Sequence, residues 1–327
     1  MKSQKDNIII GIDTSCYTTS IAAINLDRKI IFNEKIILKV KKNEKGIRQS
    51  EGVFQHTNNL GQISSKIQDT LKEYNVVGIC ASKTPRPQKD SYMPVFNVGY
   101  NYAKLYASMS NCEFYTTTHQ ENHIEASLYN KNLENKNKFI SIHMSGGTTE
   151  ILLVTNKNHQ YNIEIIGKTK DISFGQLIDR VGVKLSYDFP AGKYVDKSAI
   201  QCEEKILNGL KTSVVKGDMN VSGVENQIDR LLNDNKAPNY ICKVTLDTIV
   251  RYIIKSLTYL CEEYKINEVV FAGGVSASEY IKKEVTKKLN KNNIKSYFTN
   301  PEYATDNGVG CALIGVKNYE DKSTRNK

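Results

Sequence analysis

Short apolar runs broken by polar turns open the chain. Residues 7–13, Asn-Ile-Ile-Ile-Gly-Ile-Asp, predict a buried strand. The polar turn Thr14-Ser15-Cys16-Tyr17 leads into strands over 18–26 and 29–38, which complete a three-strand meander. The basic, polar stretch 41–50 is a loop. Val53, Leu60, Ile63, Ile67 and Leu71 then share one face of a helix over 50–74. A buried strand over 76–81 and a proline-broken basic loop over 82–90 come next. A helix over 97–110 and a strand over 113–117 follow.

The polar run 131–137 is the best domain boundary, because the pattern restarts after it. Strands are expected over 139–144, 149–154 and 160–168, with Ser145-Gly146-Gly147-Thr148 as the first turn. The stretches 8–21 and 140–151 share one plan: strand, small polar turn, Thr-Thr, strand. Residues 269–277 echo 76–81 as a strand following a long helix. An internal duplication of an α/β unit is the economical reading. Its two lobes would face one another across a cleft lined by these turns. Glycines at such turns let a ligand approach the backbone, and successive N–H groups attract anions. Gly273-Gly274 opens a further helix after a strand, a second place for phosphate.

Composition narrows the class. With 327 residues, 39% of them hydrophobic, the chain has length enough for two domains. It holds no apolar run of about 18 residues and no signal-peptide core, so a cytoplasmic protein without a membrane partner is expected. Seven cysteines, none in a CxxC pair, read as reduced thiols. Cys16 alone lies in a polar turn and is a candidate nucleophile. The net charge of +10 favours an anionic partner such as nucleic acid or a nucleotide. Lysines scattered among Asn and Ile would equally follow from an AT-rich genome.

The chemistry centres on His119-Gln-Glu-Asn-His123. Imidazoles four residues apart share a helix face and can reach one metal ion. The spacing alone also suits two solvated histidines at a helix start. Gln120 stands where the HExxH protease motif needs its glutamate, which argues against a zinc protease.

Gly11-Ile-Asp-Thr-Ser-Cys16, His119-x-x-x-His123, Met144-Ser-Gly-Gly147, Phe189-Pro-Ala-Gly192, Ala272-Gly-Gly-Val-Ser-Ala277 and Pro301-Glu-Tyr-Ala-Thr-Asp-Asn-Gly308 occur in the order seen in TsaD-type proteins. The resemblance, from about 7 to 318, is to the tRNA N6-adenosine threonylcarbamoyltransferases, once called O-sialoglycoprotein endopeptidases. It implies an actin-like fold of the sugar-kinase and Hsp70 ATPase type: two duplicated RNase H-like lobes around a nucleotide cleft. The lobes would span 7–135 and 138–305, with a C-terminal helix over 306–320 rejoining the first. It further implies one divalent metal, iron or zinc, on His119, His123 and Asp306, with Asp13 beside them as a catalytic group. An ATP- or AMP-type nucleotide would lie on His143, Met144, Ser145, Gly146, Gly147, Asp179, Gly192, Gly273, Gly274 and Ser278. Asp179, on a helix over 174–185, would reach the ribose hydroxyls. The implied reaction moves a threonylcarbamoyl group from a carbamoyl-adenylate to N6 of adenosine in tRNA and releases AMP. Protein partners of the threonylcarbamoylation system are implied too. Arg48, Lys83, Arg86 and Lys89 are candidates for tRNA phosphate contacts; Arg86 and Lys89 equally suit a solvated loop.

The chain departs from the family pattern at several points. Tyr17-Thr18 replaces an acidic pair, Thr148 a His or Asn, Gln176 a Glu, Ser278 an Asn and Glu225 a Lys. The Pro85-Arg86-Pro87 loop replaces a glycine-rich one. The departures mark a divergent paralogue. They leave open a nucleotide- and metal-binding regulatory protein without transfer, and a carbamoyltransferase with a non-tRNA acceptor.

Overall fold

The computed structural model describes residues 5–40, 47–131, 133, 136–157, 160–207 and 209–325. Positions 41–46 of the expected loop, and 132, 134 and 135 of the expected boundary, lie outside these. The elements, in order, are β1 (Asn7–Thr14), β2 (Thr18–Asn25), β3 (Ile30–Ile37), α1 (Gln49–Leu71), β4 (Asn75–Thr84), α2 (Phe96–Ser110), β5 (Glu113–Thr118) and α3 (His119–Leu128). Next come β6 (Lys138–Met144), β7 (Thr149–Lys157), β8 (Gln160–Lys168), α4 (Phe174–Lys184), α5 (Gly192–Gln201), β9 (Ser213–Val215), β10 (Asp218–Asn220), α6 (Ser222–Asn233) and α7 (Pro238–Tyr264). The chain closes with β11 (Glu268–Ala272), α8 (Glu279–Asn290), β12 (Lys295–Phe298), α9 (Pro301–Ala304) and α10 (Val309–Arg325).

The chain divides into two compact units, Met1–Tyr129 with Thr305–Lys327, and Asn130–Ala304. The first holds a five-stranded sheet in the order β3-β2-β1-β4-β5. β1 pairs antiparallel with β2 and parallel with β4. This central strand is covered on both faces, which is why it reads as an unbroken apolar run rather than an alternating one. Ile8 and Ile9 are fully buried. α1 packs Leu60, Ile63 and Ile67 into this core, the face its periodicity predicts. Two polar residues, His56 and Asn59, lie on the same buried face. β4 runs on to Thr84, past the predicted end at 81, because Ser82 and Thr84 still pair with β5. Lys83 is therefore a strand residue, not a loop residue.

The second unit repeats the plan. Its sheet runs β12-β11-β6-β7-β8. β6 pairs antiparallel with β7 and parallel with β11, as β1 does with β2 and β4. The outer strands β8 and β12 correspond in the same way to β3 and β5. The duplication read from the two strand-turn-strand openings thus extends to strand order and direction. Leu177, Ile178 and Val181 of α4 and Ile249, Ile253 and Leu257 of α7 pack on Ile140, Ile142, Val269 and Phe271. Each such burial contributes about 1.5–3 kcal/mol. Gly274 does not open the expected helix directly: a 3-10 turn over Gly274–Ala277 intervenes, and α8 begins at Glu279. No helix among the described residues is long and apolar enough to cross a membrane.

Candidate metal centre and nucleotide turns

His119 and His123 owe their positions to a capping box. Thr118 ends β5 and caps α3: its hydroxyl accepts from the Glu121 amide, while the Glu121 carboxylate accepts from the Thr118 amide at 2.8 Å. Two orphan amides of the first turn are satisfied reciprocally, which fixes where the helix starts. His119 becomes its first residue and His123 lies one turn on. The signal, Thr118-x-x-Glu121, stands in the sequence beside the histidines.

The third member arrives from the far end of the chain. Asp306 lies just before α10, in the same compact unit. His123 Nε2 is 3.1 Å from His119 Nε2 and 3.1 Å from Asp306 Oδ1. His119 Nε2 is 3.6 Å from Asp306 Oδ1. Among the described residues this is the group of His, Cys, Asp and Glu whose donor atoms converge as a metal site would require. Bonds of about 2.1 Å separate neighbouring ligand atoms by about 3.0 Å in an octahedron and about 3.4 Å in a tetrahedron. The observed triangle fits either. Two imidazoles and one carboxylate on one side leave the remaining positions open, as a catalytic centre requires.

Behind the triangle stands a second layer. Asp13, fully buried at the end of β1, takes His119 Nδ1 at 3.0 Å. That bond leaves Nε2 as the atom aimed at the triangle. Burial alone would lower the His119 pKa, but the Asp13 charge and hydrogen bond, with Asp306, raise it to about 9. Ser15 Oγ donates to Asp306 Oδ2 at 2.7 Å, so Oδ1 turns towards the histidines. Burial opposes the Asp306 charge, yet the His123 hydrogen bond, the two imidazoles and Ser15 hold its carboxyl well below the usual range. Asp13 is thus a partner of His119 and not a member of the triangle.

The turn that carries Ser15 is itself fastened. His56 Nε2 lies 2.8 Å from the Ser15 carbonyl and Nδ1 lies 2.8 Å from Thr19 Oγ1. A carbonyl only accepts, so Nε2 carries the hydrogen and Nδ1 accepts from Thr19. Asn59 Nδ2 donates to the same Thr19 oxygen at 3.1 Å. This buried network has no periodic signal, and the sequence reading missed it. Cys16 lies beside the centre with Sγ 3.7 Å from Met93 Sδ. Burial, then the Asp306 and Asp13 charges, push its thiol pKa up, the reverse of what a nucleophile needs.

The remaining predicted residues belong to the second unit. The turn between β6 and β7 closes with the Ser145 amide donating to the Thr148 carbonyl at 2.8 Å and the Thr148 amide to Ser145 Oγ at 3.1 Å. Ser173 caps α4 in a capping box with Gln176 and also donates to the Gly146 carbonyl at 2.8 Å. The amide of Gln176 therefore serves the helix start. Gly273 adopts φ +87°, and a Cβ there would collide with the Met144 carbonyl, so the turn after β11 lies directly on the end of β6. A Cβ at Gly146, Gly147, Gly192 or Gly274 would meet nothing within 4 Å, so packing does not account for these glycines. Met144 is fully buried and offers only its backbone. His143 is half-buried on β6. Asp179 Oδ1 accepts from the Ala191 amide at 2.8 Å, next to Gly192, and burial raises its pKa. Ser278 caps α8, accepting from the Ile281 amide and donating to Asp196. Glu225 pairs with Arg180 and Lys184, at 2.9 and 3.2 Å.

Comparison with known proteins agrees over most of the chain. The family model for TsaD, tRNA N6-adenosine threonylcarbamoyltransferase, matches residues 91–313. A tRNA N6-adenosine threonylcarbamoyltransferase of Malacoplasma penetrans is 30% identical over 325 residues, covering 95% of this chain and 98% of its own. That of Riemerella anatipestifer is 26% identical over 329 residues, covering 97% and 94%. Among solved structures, full-length HypF in its phosphate- and nucleotide-bound form superposes with a TM-score of 0.62 at 14% identity, over 98% of this chain and 47% of HypF. The chain thus spans about half the length of HypF. A ROK family glucokinase from Streptomyces griseus in complex with glucose and AMPPNP gives a TM-score of 0.53 at 9% identity, over 94% and 99%. At these identities the likeness is one of fold, the actin-like α/β fold of the sugar kinases.

Proposed function

The chain belongs to the TsaD family of tRNA N6-adenosine threonylcarbamoyltransferases, and from that premise we propose that it transfers a threonylcarbamoyl group from a carbamoyl-adenylate to N6 of adenosine in tRNA. In this acyl transfer the amine nitrogen attacks the carbamoyl carbonyl, the bond from that carbon to the phosphate oxygen breaks, AMP leaves and the amine loses a proton. The second unit would hold the nucleotide portion on the 145–148 and 273–277 turns, with Gly146, Gly147 and Gly274 open to a ligand. Asp179 is occupied by the Ala191 amide through one oxygen, which leaves the other for a ribose hydroxyl.

The observation that best supports the reading is the triangle of His119, His123 and Asp306, backed by Asp13 and Ser15. Its residues fit one divalent metal, iron or zinc. A metal there supplies Lewis acidity towards a phosphate or carbonyl oxygen. The protein's own part is orientation: Asp13 fixes the His119 tautomer, and Ser15 fixes which Asp306 oxygen faces inward.

The test is a transfer assay. Metal-loaded protein is mixed with threonylcarbamoyl-adenylate and unmodified tRNA, and the nucleosides are read by mass spectrometry. Modified adenosine is expected, and His119→Ala should abolish both metal binding and transfer with the fold intact. Transfer that persists in the metal-free variant would overturn the metal's role. AMP release without modified tRNA would point to another acceptor or a missing protein partner, and neither product with tight nucleotide binding to a regulatory protein.

A further inference from the structure

Asn122 lies between the two histidines on α3, yet it faces away from the triangle and into the protein. It is fully buried. Both ends of its amide are used by the opposite end of the chain. Nδ2 donates to the Asn307 carbonyl at 2.7 Å, and Oδ1 accepts from the Cys311 amide, in the first turn of α10, at 2.8 Å. Asn307 follows Asp306 directly. It is also fully buried, and its own side chain donates to the Thr305 carbonyl at 2.7 Å and accepts from the Val309 amide at 2.9 Å. The backbone on both sides of Asp306 is therefore held by one short chain of amide hydrogen bonds, and Asn122 is where that chain joins α3. The helices approach so closely that a Cβ on Gly310 would collide with the Asn122 carbonyl.

We propose that Asn122 is a positioning residue that sets the separation between the imidazole pair and the Asp306 carboxylate. The proposal rests on the metal-centre reading above and adds to it the part that fixes the ligand spacing. His119 and His123 keep their mutual spacing through the helix itself. Asp306 reaches them across 183 positions of sequence, and no element carries all three. Ser15 orients the carboxylate; Asn122 holds the backbone from which it hangs. A link of this kind acts by pre-organisation, because a ligand held by a loose backbone must be ordered each time the ion binds.

The experiment uses the full-length protein stripped of metal and titrated with Co2+, followed by calorimetry and by the visible d–d absorption of the bound ion. Wild type should bind one ion, with the spectrum of a site made of two imidazoles and a carboxylate. Asn122→Ala should weaken binding by about tenfold or more and change that spectrum, while far-UV circular dichroism shows the fold retained. Asn122→Asp is the second variant. It keeps the acceptor for the Cys311 amide but loses the donor to Asn307. Its added negative charge alone would tighten a cation site, so weakened binding has the opposite sign from a charge effect. If wild type binds no Co2+, the metal-centre reading fails. If wild type binds and both variants match its affinity and spectrum, the positioning role fails and that reading stands.

Discussion

Ser15 and Asp306, 291 positions apart in sequence, share a 2.7 Å hydrogen bond that decides which carboxylate oxygen faces the two histidines. The donor sits on the first turn of the first sheet and the acceptor just before the last helix. Ser15→Ala removes the donor without touching a ligand. Outer-shell partners of this kind are worth about 10–100-fold in metal affinity. The variant should bind Co2+ or Zn2+ more weakly by that factor and lose about 1–3 kcal/mol of stability, while far-UV circular dichroism shows the fold retained. Equal affinity by calorimetry would show that Asp306 orients itself.

Cys16 should be dispensable for chemistry. Thiol nucleophiles work as thiolates, and lowered pKa values make them reactive. Burial and the carboxylates of Asp306 and Asp13 push this thiol the other way. Cys16→Ser should retain transfer within about threefold, since it leaves the buried hydrogen-bonded framework intact. Wild-type Cys16 should alkylate slowly at neutral pH, as mapped by peptide mass spectrometry. Rapid alkylation with loss of activity in the serine variant would restore the nucleophile.

His56 predicts an acid-sensitive fold. Burial lowers its pKa below 6.5. The folded protein therefore favours the neutral ring, whose bare Nδ1 accepts from Thr19. Below about pH 6.5 the unfolded chain takes up a proton that the folded one resists, so stability rises with pH through this window. The contribution is complete above the unfolded value and is lost as the pH falls towards the folded one. His56→Gln keeps a donor for the Ser15 carbonyl and an acceptor for Thr19, and it cannot titrate. Urea midpoints at about pH 7.5 and 5.5 should differ less in this variant than in wild type. An identical pH dependence would assign the acid sensitivity elsewhere.

These residues also show what a sequence can and cannot convey. The meander, α1 and the restart at β6 were legible because buried strands and one-sided helices leave runs and periods. The histidine pair was legible through its spacing. Asp306 entered only by resemblance, since nothing local ties it to α3. His56 and Asn59 sit on an apolar face where periodicity expects hydrophobic residues, and only the fold reveals Thr19 and Ser15 opposite them. The strands β9 and β10, of three residues each, have no counterpart in the sequence reading. Elements that short carry no periodic signal. Gln176 stands where the family pattern has a glutamate, and only the fold shows its side-chain oxygen accepting from the Ser173 amide at the start of α4.

The ion pair between Lys317 and Glu125 tests how α10 is held to α3. Nζ and Oε1 are 2.5 Å apart, and the side chains are 4% and 2% exposed. A pair so deeply buried loses much of its attraction to desolvation, but removing one member leaves the other's buried charge without this counter-charge. Lys317→Met alone should cost about 3–5 kcal/mol. The double variant Lys317→Met with Glu125→Leu removes both charges and should recover most of that loss, coming within about 1 kcal/mol of wild type. Urea unfolding of the wild type, both single variants and the double variant closes the cycle. Additive losses would mean that the two side chains act independently, leaving the Asn122 hydrogen bonds and the apolar contacts to hold α10 against α3.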